Sequence, residues 1–299
     1  MKHVPSLFAA ISASVLITAC SPSSSTPEAV SVTIEPPTLI EQWVLTGFDA
    51  PESVIVAADG ETLYVSNVGG DGSAKDGNGV ISKITIDGTM IERNWVSGTD
   101  ALPLHAPKGM ALIGGTLAVT DIDHLVMIDV ASGQITARIP IEGASFLNDA
   151  ALGPDGSILV SDSGTASIHI IKDGIATLWL NDAQLGGVNG LQMDGNRLLV
   201  TTMSAGELLS INLETKAITV IGTGMENADG IGILADGSFI ISSWPGQLWH
   251  SGGLSPTLLQ DTTGDTPTLM NDILLSGEML ITPNWVPGTV RGYGIQVGQ

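Results

Sequence analysis

The sequence predicts an all-β fold: a six-bladed β-propeller whose ring is closed by the N-terminal strand pairing with the last blade. Three observations lead there. A unit of about forty residues recurs six times, each unit turns on a glycine between two apolar runs, and no apolar face of helical period extends beyond a few residues. Composition agrees, because 37 glycines with only 14% charged residues suit many tight turns between strands buried on both faces.

The six units are residues 52–67, 108–121, 148–162, 189–202, 229–243 and 271–284, with starts separated by 56, 40, 41, 40 and 42 residues. Each has a polar residue, an apolar run, a turn, and a second apolar run ending in polar residues. The turns fall at Asp59-Gly60, Gly114-Gly115, Asp155-Gly156, Asp194-Gly195, Asp236-Gly237 and Ser276-Gly277, the pairs that a hairpin with positive φ requires. Third and fourth strands follow, for example 167–171 and 176–180, or 207–212 and 217–221. The long first interval contains a Gly/Asp-rich insertion at 69–79 and a loop through Pro103 and Pro107. After the sixth start only three strands' worth of chain remains. Residues 40–48 therefore supply the missing outer strand and close the ring without an open seam. Trp43, Trp95 and Trp179 then fall on outermost strands, as packing between blades.

Upstream of the repeats, Lys2 precedes an apolar stretch over residues 4–19, too short for a spanning helix and suited to a secretory signal over 1–19. The run Ile17-Thr18-Ala19-Cys20 resembles the lipobox of bacterial lipoproteins. That resemblance implies acylation of Cys20, the only cysteine, which has no internal disulfide partner. Two or more acyl chains give stable anchoring, so the lipid bilayer is an expected partner through Cys20. Residues 20–38 read as a lipidated Cys20 and a flexible Ser/Pro-rich stalk, and 39–299 as one propeller. Ser21 after the cysteine resembles an outer-membrane sorting signal, so the expected location is the bacterial cell envelope, at the outer membrane facing the periplasm. The net charge of -21 argues against nucleic acid as a partner and keeps a tethered monomer soluble.

Topology places a candidate site before any motif does. If each inner strand starts at its unit's first polar residue, the second strand returns to the same face. Glu52, Lys108, Asn148, Asn189, Asp229 and Asn271 then converge on one mouth of the channel. A second rim of Asn67, Asp121, Asp123, His124, Asp162, Trp244, Asn284 and Trp285 surrounds them. Carboxylate and amide oxygens without Cys or paired His suit a hard divalent cation, whereas any one Asn or Asp taken singly also serves as a backbone-bonding loop residue.

The repeat openings Pro51-Glu52, Leu147-Asn148-Asp149, Val188-Asn189-Gly190-Leu191 and Ala228-Asp229-Gly230-Ile231 resemble those of the senescence marker protein/gluconolactonase (regucalcin-like) family. That family is related in plan to paraoxonases and diisopropylfluorophosphatase, and the similarity covers the propeller from about residue 41 onward. It implies one bound cation, calcium by preference, held by Glu52, Asn148, Asn189 and Asp229. It also implies a possible second, structural calcium near Asp149 and Asp272, for which backbone hydrogen bonding in the channel is the alternative. The chain departs from the family at Phe146, where members carry a sugar-binding Arg, and at Lys108, where paraoxonase-like proteins have His. Sugar lactones are therefore disfavoured. Lys108 either holds an anionic substrate or transition-state oxygen, or pairs with Glu52. The implied activity is metal-dependent hydrolysis of a small-molecule lactone or other ester, with Asp229 as base or nucleophile. Trp244 and Trp285 form either an apolar substrate wall or core. The alternatives are a non-catalytic, lipid-anchored propeller acting as a binding or scaffold module, and an enzyme of strictosidine-synthase-like type.

Overall fold

The computed structural model describes Met1, residues 35–264 and residues 268–296. The leader, Cys20 and most of the stalk lie outside the described residues.

The chain from residue 35 forms a six-bladed β-propeller, with no α-helix among the described residues. Blade 1 comprises Pro51–Val56, Thr62–Asn67, Val80–Thr85 and Met90–Ser97. Blades 2 to 5 repeat that order, with inner strands Pro107–Ile113, Leu147–Leu152, Val188–Asp194 and Ala228–Ile233. Blade 6 differs at both edges. Its inner strand is split into Leu269–Met270 and Leu274–Ser276, and its outer strand is the first among the described residues, Thr38–Thr46, antiparallel to Thr289–Gln296. The N-terminal strand thus closes the ring.

Six apolar clusters lie one at each blade-to-blade junction, and a seventh, small one joins Ala50, Val68, Ala106 and Ile122 with Trp285 against it. Successive residues of a second strand serve opposite neighbours. Leu63 and Val65 pack toward blade 6, while Tyr64 between them packs toward blade 2. Both faces are buried, which is why these strands read as continuous apolar runs rather than as alternation. Trp43, Trp95 and Trp179 lie on outer strands and pack against the next blade. Trp95 also stacks on Tyr64 at 4.8 Å. The hairpin glycines have the φ that the turns demand, from +56° at Gly114 to +84° at Gly237.

One irregularity recurs where the inner strands begin. In blades 1 to 5 the register shifts by one residue between the first and fourth strand positions, as between Pro51 and Val54. The extra residue is a β-bulge, which takes a backbone N–H out of the ladder. A hydroxyl on the second strand receives it: Ser53 N donates to Ser66 Oγ at 3.0 Å, and Asp149, Gly190 and Gly230 N donate to Ser161, Thr201 and Ser242 at 2.8 Å. From blade 3 to blade 5 the same hydroxyls donate onward to the next blade, and in blade 2 the hydroxyl of Thr120 does so too. Thr120 reaches Asn148 O at 2.5 Å, Ser161 reaches Asn189 O at 2.8 Å, Thr201 reaches Asp229 O, and Ser242 reaches Asn271 O at 2.6 Å. A chain of hydroxyls therefore fixes the backbone of one blade's leading polar residue to the blade before it.

Candidate active site

Each inner strand opens with an apolar residue buried between blades (Pro51, Pro107, Leu147, Val188, Ala228), and the bulge then turns the following side chain to the axis. Glu52, Lys108, Asn148, Asn189, Asp229 and Asn271 accordingly line one pocket of about 160 Å³, and all six are buried. Phe146, Met203, Trp244 and Trp285 form its apolar wall, with the two indoles edge to face at 6.2 Å. Gly72, from the insertion of blade 1, completes the lining.

The ring is short of hydrogen-bond donors. Glu52 Oε2 and Asp229 Oδ1 are buried and have no partner. Asn148 commits its amide nitrogen to Ser163 Oγ at 3.2 Å, and Asn271 commits its own to Pro51 O at 3.0 Å, which leaves their oxygens to the pocket. The Asn189 amide lies beside the Asp229 carboxylate and favours its charged form. Burial pushes the Glu52 carboxyl well above the usual range, the neighbouring Asp229 adds to this, and Lys108 opposes it. Asp229 is raised by burial and then by Asp272. Burial lowers the Lys108 ammonium, against the pull of Glu52. Its Nζ donates to Gly72 O at 2.8 Å and Ala106 O at 3.2 Å and lies 4.5 Å from the Phe146 ring, so one N–H remains for the pocket.

Among the described residues, no three His, Cys, Asp or Glu side chains gather into a metal-holding group. The donor set here is different in kind: two carboxylates and up to three amide oxygens, all hard. Orphaned, buried carboxylate oxygens are costly unless a cation or proton reaches them. The residues present therefore fit a hard divalent cation of the calcium type.

The layer immediately below behaves otherwise. Asp149 accepts from Ala150 N at 2.7 Å and Leu191 N at 2.6 Å. Asp272 accepts from Ile273 N at 2.7 Å and Ser53 Oγ at 2.6 Å. Burial raises both, Asp272 to about 6. Three of these four donors are backbone N–H groups and the fourth is a serine hydroxyl.

The expected second rim is corrected in part. Trp244, Trp285 and Asn271 do line the pocket, but Asn67, Asp121 and Asp162 are fully buried behind it. Asp162 receives Ser145 N, Phe146 N and Gly164 N at 2.9–3.1 Å and thereby shapes the loop that presents Phe146. Burial would raise its pKa, yet the hydrogen bonds from Phe146 N, Thr165 Oγ1 and Ser145 N, with His169 nearby at 3.9 Å, hold it down at about 2. Asp121 receives Ala106 N at 2.8 Å and Arg138 at 2.6 Å, just ahead of Lys108. Asn67 and Asn284 bond strand carbonyls of their own blades. Asp123 and His124 pair with each other at 2.6 Å and Asp123 also with Lys75, away from the pocket lining. Strand phase had suggested a rim because these side chains end the second strands at the same mouth. The loops fold over them. Phe146 and Met203 joined the wall without belonging to the repeat phase. The hydroxyl chain also went unseen, since Ser and Thr inside an apolar run look like ordinary strand residues.

No model of a known protein family matches the sequence, and a comparison with curated proteins finds no match either. Solved structures do resemble it. A virginiamycin B lyase from Staphylococcus aureus is 14% identical, with a TM-score of 0.62 over 87% of this chain and 99% of that one. A streptogramin B lyase is 13% identical, with a TM-score of 0.62 over 87% and 98%. A protein provisionally classed as a gluconolactonase is 17% identical, with a TM-score of 0.64 over 88% and 94%. At these identities the likeness establishes the propeller fold alone.

Proposed function

We propose that the protein is a divalent-metal-dependent hydrolase of small lactones or other esters, carried at the bacterial envelope by an acylated Cys20. The observation that carries the reading is the pair of unpartnered, buried carboxylate oxygens on Glu52 and Asp229 at the floor of an apolar-walled pocket. Glu52, Asn148, Asn189 and Asp229 would hold the cation, calcium by preference, which when bound polarises an ester carbonyl. Lys108 offers its remaining N–H to the carbonyl oxygen or to an anionic group beside it. As base, Asp229 takes a proton from water while the water oxygen attacks the carbonyl carbon, the acyl–oxygen bond breaks, and the leaving oxygen takes up that proton; as nucleophile, Asp229 attacks the carbonyl carbon, the leaving oxygen takes a proton from Lys108, and water then hydrolyses the resulting anhydride and returns a proton to Lys108. A bound cation would lower the proton affinity of Asp229, so base catalysis would use a carboxylate oxygen that is not on the metal. Phe146, Trp244 and Trp285 keep bulk water from the reacting carbonyl.

A second reading, a non-catalytic binding module, draws on Lys108, whose ammonium already lies close enough to Glu52 to relieve its charge. The two part company on a panel of lactones and aryl esters assayed with purified protein in calcium and in chelator. The hydrolase reading expects turnover with calcium and its loss with chelator and in Asp229→Ala. Equal rates in wild type and Asp229→Ala sink it. Exclusion of radiolabelled fatty acid from a Cys20→Ser chain tests the anchor.

A further inference from the structure

The 69–79 insertion of blade 1 has no counterpart in the other blades, and its Gly72 lines the pocket. It is fastened at both ends and in the middle. Gly69 N donates to Asp49 O and Gly79 N to Leu104 O at 3.1 Å, Gly77 N donates to His105 Nδ1 at 3.1 Å, and Lys75 pairs with Asp123 at 2.6 Å. Its glycines have separate reasons to be glycine. Gly69, Gly70 and Gly77 have φ of +74°, +132° and +74°, where an L side chain is strained. At Gly79 a Cβ would lie 2.3 Å from Pro107 Cδ. Gly72 alone has neither reason. A Cβ there would meet Lys108 Cε and Phe146 Cζ at 3.7 Å and Trp285 Cη2 at 3.8 Å, ordinary contact distances, and it would stand inside the pocket. Neither its backbone nor a clash requires glycine at 72, so what the missing side chain leaves is room.

We propose that the blade 1 insertion is the specificity roof of this pocket, and that Gly72 sets the size of an apolar substituent that the substrate carries beside its reacting carbonyl. The substituent is apolar because the surfaces facing Gly72 are an indole, a phenyl ring and the methylenes of Lys108. With the remaining N–H of Lys108 engaged by the carbonyl, the indole, the phenyl ring and the Lys108 methylenes offer a hydroxyl group no partner. The assignment rests on the ester and lactone reading for the class of ring. It goes further in naming a residue that discriminates within that class.

Binding of non-hydrolysable lactams separates the two ideas. The full chain, wild type and with Gly72→Ala or Gly72→Val, is titrated in calcium with 2-pyrrolidinone and with its 3-butyl derivative by calorimetry, with thermal melting as a check on folding. Wild type should bind the butyl ring more tightly. Gly72→Val should weaken the butyl ring by about tenfold or more while leaving the bare ring within about twofold, with Gly72→Ala in between. Equal weakening of both rings, no change in either, or no binding of either by wild type overturns the proposal. Discriminating lactam binding without turnover of any lactone removes the hydrolase reading and leaves the roof assignment standing.

Discussion

Two layers of acidic side chains face the same channel, and they behave in opposite ways. In the upper layer, Glu52 and Asp229 each keep a buried oxygen without a partner. In the lower layer, Asp149 and Asp272 have both oxygens taken by backbone N–H groups or a serine hydroxyl. Both layers are buried and acidic, so neither charge nor burial separates them. What separates them is what each faces: the lower carboxylates lie among N–H and hydroxyl groups of their own and the next blade, and the upper ones face the pocket. A buried carboxylate whose bonds are complete holds the ring together, and one whose bonds are incomplete is available for chemistry.

That contrast yields a graded set of tests. The largest effect is on activity: Asp229→Asn should lower ester or lactone turnover by about 10²–10⁴-fold, measured as kcat/KM in calcium. In chelator the same variant should melt higher than wild type, because an amide removes an uncompensated buried charge. A gain of about 1–3 kcal/mol corresponds to a Tm rise of at least a few degrees. Asp149→Ala should do the reverse, losing two charge-assisted bonds and melting lower by about 5 °C or more, since the two N–H groups of Ala150 and Leu191 are left bare. Matching melting shifts in the two variants would erase the distinction between layers.

A pH test sharpens it further. The folded pKa of Asp272 is about 6, above its ordinary 3.8, because of burial. The folded state therefore binds that proton more tightly than the unfolded state. The stabilisation is complete below pH 3.8 and is lost as pH rises through about 6. In chelator, wild type should lose Tm between pH 4 and 7, and Asp272→Asn should lose visibly less over the same range. The smallest effects compare two neighbouring threonines. Thr201 accepts from Gly190 N and donates to Asp229 O, whereas the buried hydroxyl of Thr202 has no partner. Thr201→Val should cost about 1–3 kcal/mol in denaturant unfolding, and Thr202→Val should be neutral or slightly stabilising.

The sequence carried the repeat, the hairpin glycines, the closing strand and the six residues of the upper ring, because each is encoded as a phase within a period. The parts that escaped are set by neighbours in space. Asp121 and Asp162 had the right phase for a rim, but only the folded loops reveal that their oxygens are consumed by Ala106, Ser145 and Phe146 N–H groups. Ser161 and Thr201 join blades through contacts 28 residues apart, a spacing that is set by the ring and has no local signature. Gly72 lies in an insertion with no repeat to compare, and its meaning depends on Phe146 and Trp285 from two other blades.

The closing strand also governs when this molecule can come into being. Thr38 pairs with Gln296 and Thr46 with Thr289, so the first of the described strands to be synthesised waits for the last one. Until then a nascent chain holds five blades and two open edges, each able to recruit a stray strand. Completion is therefore a late, all-or-none event. The pocket gains Trp285 and Asn271 only with the sixth blade, so a partly made chain has no finished site with which to act.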